Sequence, residues 1–151
     1  MKNRDLGPIP APVPNSYPRS VPENPKLICI VDDDSSLRRA LGRMVKSFGF
    51  DARLYASARE CLDGSDIDRS AVLILDVSMP GMDGFELHAA LEEMNRSVPT
   101  VFITAHDDKH YMEKAQSFGA IAFLYKPCDE SLLLGAIDKA LASGVVTDPQ
   151  E

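Results

Sequence analysis

The sequence predicts an α/β fold in which five strands form one doubly wound parallel sheet, a (βα)5 arrangement. From Lys26 onward, short apolar runs of strand length alternate five times with longer stretches in which apolar residues recur at helical spacing. Such strict alternation is typical of a parallel sheet that is covered by helices on both faces. The runs are almost continuously apolar, which indicates strands buried on both sides.

The predicted strands determine where a ligand would bind. They cover residues 27–31, 52–56, 71–75, 100–104 and 120–125. Right-handed crossover connections leave few topologies for such a chain, and the leading one is the flavodoxin-like strand order 2-1-3-4-5. In that order a ligand binds beyond the carboxyl ends of the strands, where the first and third strands lie side by side.

The stretches between the strands carry the signals of helix starts, helix ends and apolar stripes. Ser57 with Glu60, and Asp83 with Glu86, have capping-box spacing, and Asp34 is a predicted N-cap. The predicted stops are Gly49, Gly119 and Gly144. The predicted inward stripes are Leu37, Leu41, Met44/Val45 and Phe48 in the first helix, Leu87, Ala90, Leu91 and Met94 in the third, and Leu133, Ala136, Ile137, Ala140 and Leu141 in the last.

Composition excludes several classes of protein. The 151-residue chain has a formal net charge of −7 and a sequence pI of about 4.9, so we expect no direct binding to nucleic acid or to an anionic membrane. Three cysteines without close spacing predict reduced thiols rather than a disulfide framework or a metal knuckle. No apolar run approaches the roughly 20 residues of a membrane span, and we expect a cytoplasmic protein.

The chain divides into a domain and two tails. Residues 1–25 form a proline-rich N-terminal extension, expected to be flexible, in which the run PIPAPVP favours polyproline II. Residues 1–26 carry a net charge of +2, whereas the rest of the chain carries −9. The predicted domain covers residues 26–144. A short tail, residues 145–151, follows it without an output domain, and we expect a natural stand-alone protein rather than a fragment.

Polar residues follow the predicted strands at one edge of the sheet. Asp32 and Asp33 follow the first strand, Asp76 the third and Lys126 the fifth, while Thr104 ends the fourth. Taken singly, a strand-end hydroxyl usually bonds to backbone and a lysine is usually solvated. Together, three converging carboxylates would repel one another unless a hard divalent cation lay between them. Oxygen-only ligands indicate Mg²⁺, with Mn²⁺ as a substitute.

A magnesium site of this composition predicts phosphoryl chemistry. Mg²⁺ prefers one or two carboxylates together with phosphate oxygens and water. Asp76, held at a strand tip before a Pro-Gly turn, is the natural nucleophile and would form an acyl phosphate. Lys126 would supply a cation to the phosphoryl oxygens, and Thr104 a hydroxyl donor.

The stretches IVDDDSSLRRAL, LILDVSMPGMDGFEL, VPTVFITAHDD and AFLYKP carry a specific resemblance. Over residues 26–143 the chain resembles the receiver domain of two-component response regulators, and within them receivers of the FixJ type. The resemblance implies Asp76 as phosphoacceptor, Asp33 as direct Mg²⁺ ligand, Asp32 as a ligand through water, Ser78 as a ligand through its backbone carbonyl, Thr104 as switch hydroxyl and Lys126 as the family's lysine.

The resemblance also implies partners and a switch. Phe123 stands where many receivers carry a switching aromatic residue, and His106 and Ser78 stand at positions that tune phosphoryl hydrolysis. The phosphoryl donor would be a sensor histidine kinase or a histidine phosphotransfer protein. A downstream protein would bind the face made by the fourth helix, fifth strand and fifth helix, and a phosphorylation-dependent dimer is a further option.

The sequence disfavours three alternatives to a phosphoacceptor. A degenerate receiver that only binds partners is disfavoured by the intact acidic pair, Asp76, Thr104 and Lys126. A haloacid-dehalogenase-type enzyme needs a second acid two residues after its nucleophile, and Ser78 stands there instead. A flavodoxin proper needs a hydroxyl- and glycine-rich phosphate loop, for which DDDSS has the wrong charge.

Overall fold

Five parallel strands form one sheet in the computed structural model, which describes residues 24–105 and 109–144. The strands are β1 (Leu27–Val31), β2 (Asp51–Tyr55), β3 (Val72–Asp76), β4 (Thr100–Thr104) and β5 (Ala122–Tyr125). Their order in the sheet is β2-β1-β3-β4-β5. The predicted fold class and strand order are therefore confirmed. The N-terminal extension up to residue 23 and the tail from residue 145 lie outside the described residues.

Helices follow each strand, as the alternating pattern predicts. They are α1 (Ser35–Ser47), α2 (Ala58–Asp63), α3 (Gly84–Glu93), α4 (Lys109–Ser117) and α5 (Glu130–Gly144). A short 3-10 turn at Asp66–Arg69, for which the sequence shows no clear signal, connects α2 to β3.

The strand register brings the predicted polar residues together. Leu75 of β3 pairs with Val31 of β1, so Asp76 and Asp32 are the next residues along two neighbouring strands. On the other side Asp76 pairs with Ile103 of β4, one residue before Thr104. Parallel pairing therefore places all of these residues at one edge of the sheet.

The core forms two layers because successive strand residues face opposite sides of the sheet. One layer packs β-strand residues such as Cys29, Leu75 and Phe102 against α2, α3 and α4. The other packs residues such as Ile30, Ile74 and Ile103 against α1 and α5. Cys29 and Cys61 are buried free thiols in the first layer, and Cys128 is a partly buried free thiol beside the second.

Most predicted helix ends are confirmed, with one difference in a cap. The Asp34 carboxylate accepts the N–H groups of Ser36 (3.0 Å) and Leu37 (3.2 Å), and Asp83 and Glu86 form a reciprocal capping box. At α2 the hydroxyl of Ser57 accepts the Glu60 N–H at 3.1 Å. The Glu60 carboxylate, however, accepts the N–H of Ala56 instead of that of Ser57.

Several predicted positions differ from the structure. The second and third strands are each shifted by one residue, to Asp51–Tyr55 and Val72–Asp76. Met94 was predicted inward but is 50% exposed, because α3 ends at Glu93 and Met94 is its C-cap residue. The fifth strand begins at Ala122 rather than at residue 120. Gly119, at φ +76°, ends α4, and the Ala120 N–H donates back to the Ala115 carbonyl as part of that turn.

Candidate functional site: an acidic pocket at the sheet edge

Three carboxylates converge at the carboxyl ends of β1 and β3. Asp32 and Asp76 are 0% and 1% exposed, whereas Asp33 is exposed. One oxygen from each of these three residues lies within 4.8 Å of the other two. The structure therefore brings together the carboxylates that the sequence predicts as metal ligands. An all-oxygen set of this spacing suits a hard divalent cation such as Mg²⁺.

Lys126 lies against the two buried carboxylates. Its ammonium nitrogen is 3.1 Å from Asp32 Oδ2 and 3.2 Å from Asp76 Oδ1, and its side chain is 16% exposed. The backbone holds it there, because the Lys126 N–H donates to the Thr104 carbonyl at 2.8 Å directly after β5. Lys126 is therefore not the solvated surface lysine that a single lysine at this position usually is, and it lies at the position expected of a site residue.

The electrostatics of the pocket follow from burial. Burial and the charge of Asp32 raise the pKa of Asp76 to about 7, against the opposing effect of Lys126. Burial alone would lower the pKa of Lys126, but its hydrogen bonds and charge interactions with Asp32 and Asp76 outweigh burial and raise it. Lys126 therefore stays cationic, and one ammonium faces two buried carboxyl groups.

Asp32 is oriented by its own loop. One of its carboxylate oxygens accepts the Asp34 N–H at 2.9 Å, and its backbone carbonyl accepts a hydrogen bond from the Arg38 guanidinium at 2.8 Å. Arg38 was not among the predicted site residues. It follows the acidic run by one helical turn, which is the only signal in the sequence that places it near the site.

The loop between β3 and α3 folds back onto the strand. The Ser78 N–H reaches the Asp76 carboxylate at 3.4 Å, and the Gly84 N–H donates to the Val77 carbonyl at 2.9 Å. A Cβ on Gly84 would lie 2.3 Å from the Asp76 carbonyl oxygen, so no side chain fits there. This close approach explains the second glycine of the MPGMDG sequence, Gly84, whose role was not predicted.

The two predicted switch residues lie on β4 and β5, which pair with each other. Thr104 is fully buried at the end of β4 and pairs in register with Tyr125 of β5. Phe123, two residues earlier on β5, is partly buried, and its ring meets that of Tyr125 edge-on with centroids 5.5 Å apart. His106, the predicted tuning residue, lies outside the described residues.

An aromatic cluster between α3, β4 and α4 was not predicted. Phe85 packs on Phe102 and Phe118 with ring centroids 4.9 and 5.5 Å apart, and the ammonium of Lys114 lies 4.9 Å above the Phe85 ring. His88 is buried between Phe102 and Phe118. The cluster joins the helix that follows the Asp76 loop to α4.

Among residues 24–105 and 109–144, no helix is both long enough and apolar enough to cross a membrane.

Comparison with known proteins identifies the same architecture. The family model of the response regulator receiver domain matches residues 28–138. The response regulator protein TodT of Pseudomonas putida is 38% identical over 135 residues, which cover 85% of this chain and 59% of TodT. The transcriptional regulatory protein FixJ of Rhizobium meliloti is 33% identical over 74% of this chain and 54% of FixJ. This chain thus spans between half and three fifths of the length of these relatives.

A solved structure agrees with these matches. The crystal structure of FixJ-N is 30% identical to this chain, with a TM-score of 0.73, and covers 82% of this chain and 97% of the FixJ-N chain. The structural similarity therefore covers about four fifths of this chain and nearly all of the FixJ-N chain.

Proposed function

The chain belongs to the response regulator receiver domain family, the signalling module of two-component systems, and we propose that Asp76 is its phosphoryl acceptor. The observation that carries the proposal is the position of this carboxylate. It is buried at the end of β3, 3.2 Å from the Lys126 ammonium, and groups with two further aspartates. A nucleophile needs a nearby cation where charge develops on the phosphoryl oxygens, and Lys126 supplies it.

The proposed reaction is a phosphoryl transfer. An Asp76 carboxylate oxygen attacks phosphorus, the bond to the donor breaks, and the donor leaves with that bond's electron pair. The donor would be a phosphohistidine of a sensor kinase or of a histidine phosphotransfer protein, and a small acyl phosphate can replace it in vitro. The product is an aspartyl phosphate beside Lys126.

The residues of the pocket suit Mg²⁺, with Mn²⁺ as a substitute. Asp33 and Asp76 would bind it through their carboxylates, Ser78 through its backbone carbonyl and Asp32 through a water molecule. When bound, the ion neutralises charge on the transferring phosphoryl group. The excess of carboxylates over Lys126 at this edge supports the proposal, because it leaves negative charge for a cation to offset.

The proposed output is a change in a protein-binding face. Thr104 would donate a hydrogen bond to the phosphoryl group, and Phe123 would rotate into the space behind it. The face made by α4, β5 and α5 would then bind a downstream protein or a second copy of the chain. We place the protein in the cytoplasm, where histidine kinases donate phosphoryl groups, and propose that the domain acts through protein contacts rather than by binding nucleic acid itself.

One incubation tests the acceptor. Wild-type protein with Mg²⁺ and acetyl phosphate should gain the mass of one phosphoryl group in intact-mass spectrometry. Asp76→Asn should lose the added mass, because an amide is a far weaker nucleophile. Asp63→Asn, an exposed position on α2, is the matched control and should label like wild type. If Asp76→Asn labels fully, Asp76 is not the acceptor; if wild type does not label, the domain is a binding module only.

A further inference from the structure

An apolar groove lies along the edge strand β5 and the first turns of α5. It has a volume of about 240 Å³, and Phe123, Tyr125, Pro127, Cys128 and Leu132 are among the residues that line it. Leu132 is 62% exposed. Among the described residues it is the more exposed of the two large apolar side chains that face solvent. Exposed apolar side chains next to such a groove make it a candidate binding surface.

The lining of the groove suits proline. Phe123 and Tyr125 lie two residues apart on one strand, and their rings stand nearly perpendicular, at 85°. Grooves walled by aromatic rings bind polyproline II segments, which lose little conformational entropy on binding because they are already extended. Asp129 lines the groove, and both it and the next residue, Glu130, are exposed acidic residues. A ligand that combines prolines with positive charge would match both features.

The chain contains such a segment. Residues 8–14 read PIPAPVP, with a proline at every second position, and Arg4 and Arg19 flank the run. We propose that this proline-rich segment binds the groove between β5 and α5 of its own chain, with its flanking arginines near the acidic rim. The segment itself is uncharged, but residues 1–26, which contain it, carry a net charge of +2 in a chain whose remainder carries −9, so electrostatic attraction favours the contact.

The connecting chain is long enough for this contact. The described residues begin at Asn24, just before β1, at the sheet edge opposite the acidic pocket. Three strand spacings of about 4.8 Å separate β1 from β5, and a five-residue strand is roughly 16 Å long, so the groove is on the order of 20–25 Å away. The ten residues from Pro14 to Asn24 can span roughly 33–36 Å when extended.

The contact would regulate the output face, a consequence that rests on the proposed function. The groove includes Phe123, the proposed switch residue, and occupies part of the face made by α4, β5 and α5. A segment bound there would compete with a downstream protein. The coupling between phosphorylation and the bound segment acts in both directions. If the Phe123 ring rotates inward on phosphorylation, the groove loses one of its walls and binds the proline-rich segment more weakly.

The test compares full-length variants by amide hydrogen exchange and amide NMR shifts of residues 122–133. Replacing Pro8, Pro10, Pro12 and Pro14 by serine should release the groove, so that these amides change shift and exchange about threefold faster. Replacing Pro18 and Pro22 by serine is the matched control and should change neither. Leu132→Ser, at an exposed side chain, should reproduce the effect of the four-proline variant, and combining the two should add nothing.

Three outcomes would overturn binding of the proline-rich segment to the groove of its own chain. Identical shifts and exchange in the wild type and the four-proline variant would overturn the proposal, and so would changes confined to another face. An effect that grows with protein concentration would show contact between copies and overturn binding within one chain. The experiment needs no phosphorylation. A failure here leaves labelling of Asp76 untouched, and a failure of labelling leaves the groove contact standing.

Discussion

Asp76 lies where its charge state depends on its neighbours. Its pKa of about 7 reflects burial and the adjacent Asp32, and Lys126 only partly compensates for them. A carboxyl group that burial leaves partly protonated is a poor nucleophile, whereas a cation beside it favours the ionised form. The same cation would therefore serve both to ionise Asp76 and to neutralise the incoming phosphoryl group.

Removing one carboxylate tests this charge balance. Asp33→Asn should weaken Mg²⁺ binding by about tenfold or more and should raise the free energy of unfolding without metal, because it relieves repulsion at the acidic edge. The measurement is urea unfolding over a Mg²⁺ titration. Asp34→Asn is the control, since asparagine also caps helices and Asp34 caps α1. An Asp33→Asn protein that is less stable than wild type without Mg²⁺ would contradict the repulsion argument.

Arg96 links the two connections that lead into β3 and β4, at the sheet edge opposite the acidic pocket. Its guanidinium lies 2.7 Å from an Asp68 oxygen and donates to the carbonyls of Leu62 and Gly64 at 3.2 and 2.9 Å. One side chain thus joins the end of α2 and the 3-10 turn to the loop after α3. Its side chain is only 17% exposed, which distinguishes it from the surface arginines nearby.

Arg96→Met should lower the free energy of unfolding by about 1–3 kcal/mol, because the carbonyls of Leu62 and Gly64 at the end of α2 lose this donor. Arg69→Met removes a more exposed arginine, whose ion pair with Asp66 is worth roughly 0–1 kcal/mol at a surface. Denaturant unfolding of the two variants gives the comparison. Equal losses would mean that Arg96 is only another surface ion pair.

Because of the buried His88 between α3 and α4, we expect the free energy of unfolding to depend on pH. Burial lowers its pKa, so the folded protein holds the ring neutral among aromatic residues. An unfolded chain takes up a proton near a pKa of about 6.5. The unfolded state then binds more protons, so the contribution of His88 is complete above that pH and is lost as the pH falls below it.

His88→Leu should therefore lose less stability than wild type between about pH 7.5 and pH 5.5. The raised pKa of Asp76 acts in the opposite sense, since its contribution falls as the pH rises toward 7. It is present in both proteins, so the difference between them isolates His88. His110→Gln, at an exposed residue of α4, is the control. Parallel pH profiles for wild type and His88→Leu would exclude this role.

The sequence predicts the strands, caps and pocket aspartates because their signals are local. A carboxylate directly after an apolar run must lie at a strand end, and the parallel order then fixes which strand ends are neighbours. Arg96, the Phe85 cluster and the role of Gly84 depend on distances between segments far apart in sequence. Hydrophobic periodicity places Phe85 and Phe102 inside but does not state that they touch, and no pattern shows a Cβ clash with the Asp76 carbonyl.

In the proposed function, the whole molecule connects a buried carboxylate to an exposed face. The structure offers a short route across the sheet. Asp76 pairs with the residue just before Thr104 on β4. Thr104 in turn pairs with Tyr125 of β5, two residues after Phe123. Phe123 also packs against the apolar layer that contains Phe85 and Phe102. A modification can shift such a two-state equilibrium only by its differential interaction with the two states.

In the proposed switch, the hydrogen bond of Thr104 to the phosphoryl group forms in only one of the two states and so supplies this differential interaction. A hydrogen bond from its hydroxyl to a phosphoryl oxygen is worth roughly 1.5–3 kcal/mol, or about a ten- to hundredfold shift in population. Thr104→Ala should therefore still accept phosphate at Asp76 but lose the response of α4 and β5. Thr104→Ser keeps the hydroxyl at the same backbone position and should retain most of the response.

The measurement is the change in amide NMR shifts of residues 109–128 when beryllofluoride, a phosphoryl mimic, is added with Mg²⁺. Wild type and Thr104→Ser should show the change, and Thr104→Ala should show little of it while its Asp76 still labels with acetyl phosphate. Loss of the response in both variants would indicate a packing defect at this fully buried position. A full response in Thr104→Ala would mean that the signal reaches α4 by another route, for which the loop from Met79 to Asp83 and the Phe85 cluster behind it offer the next contacts.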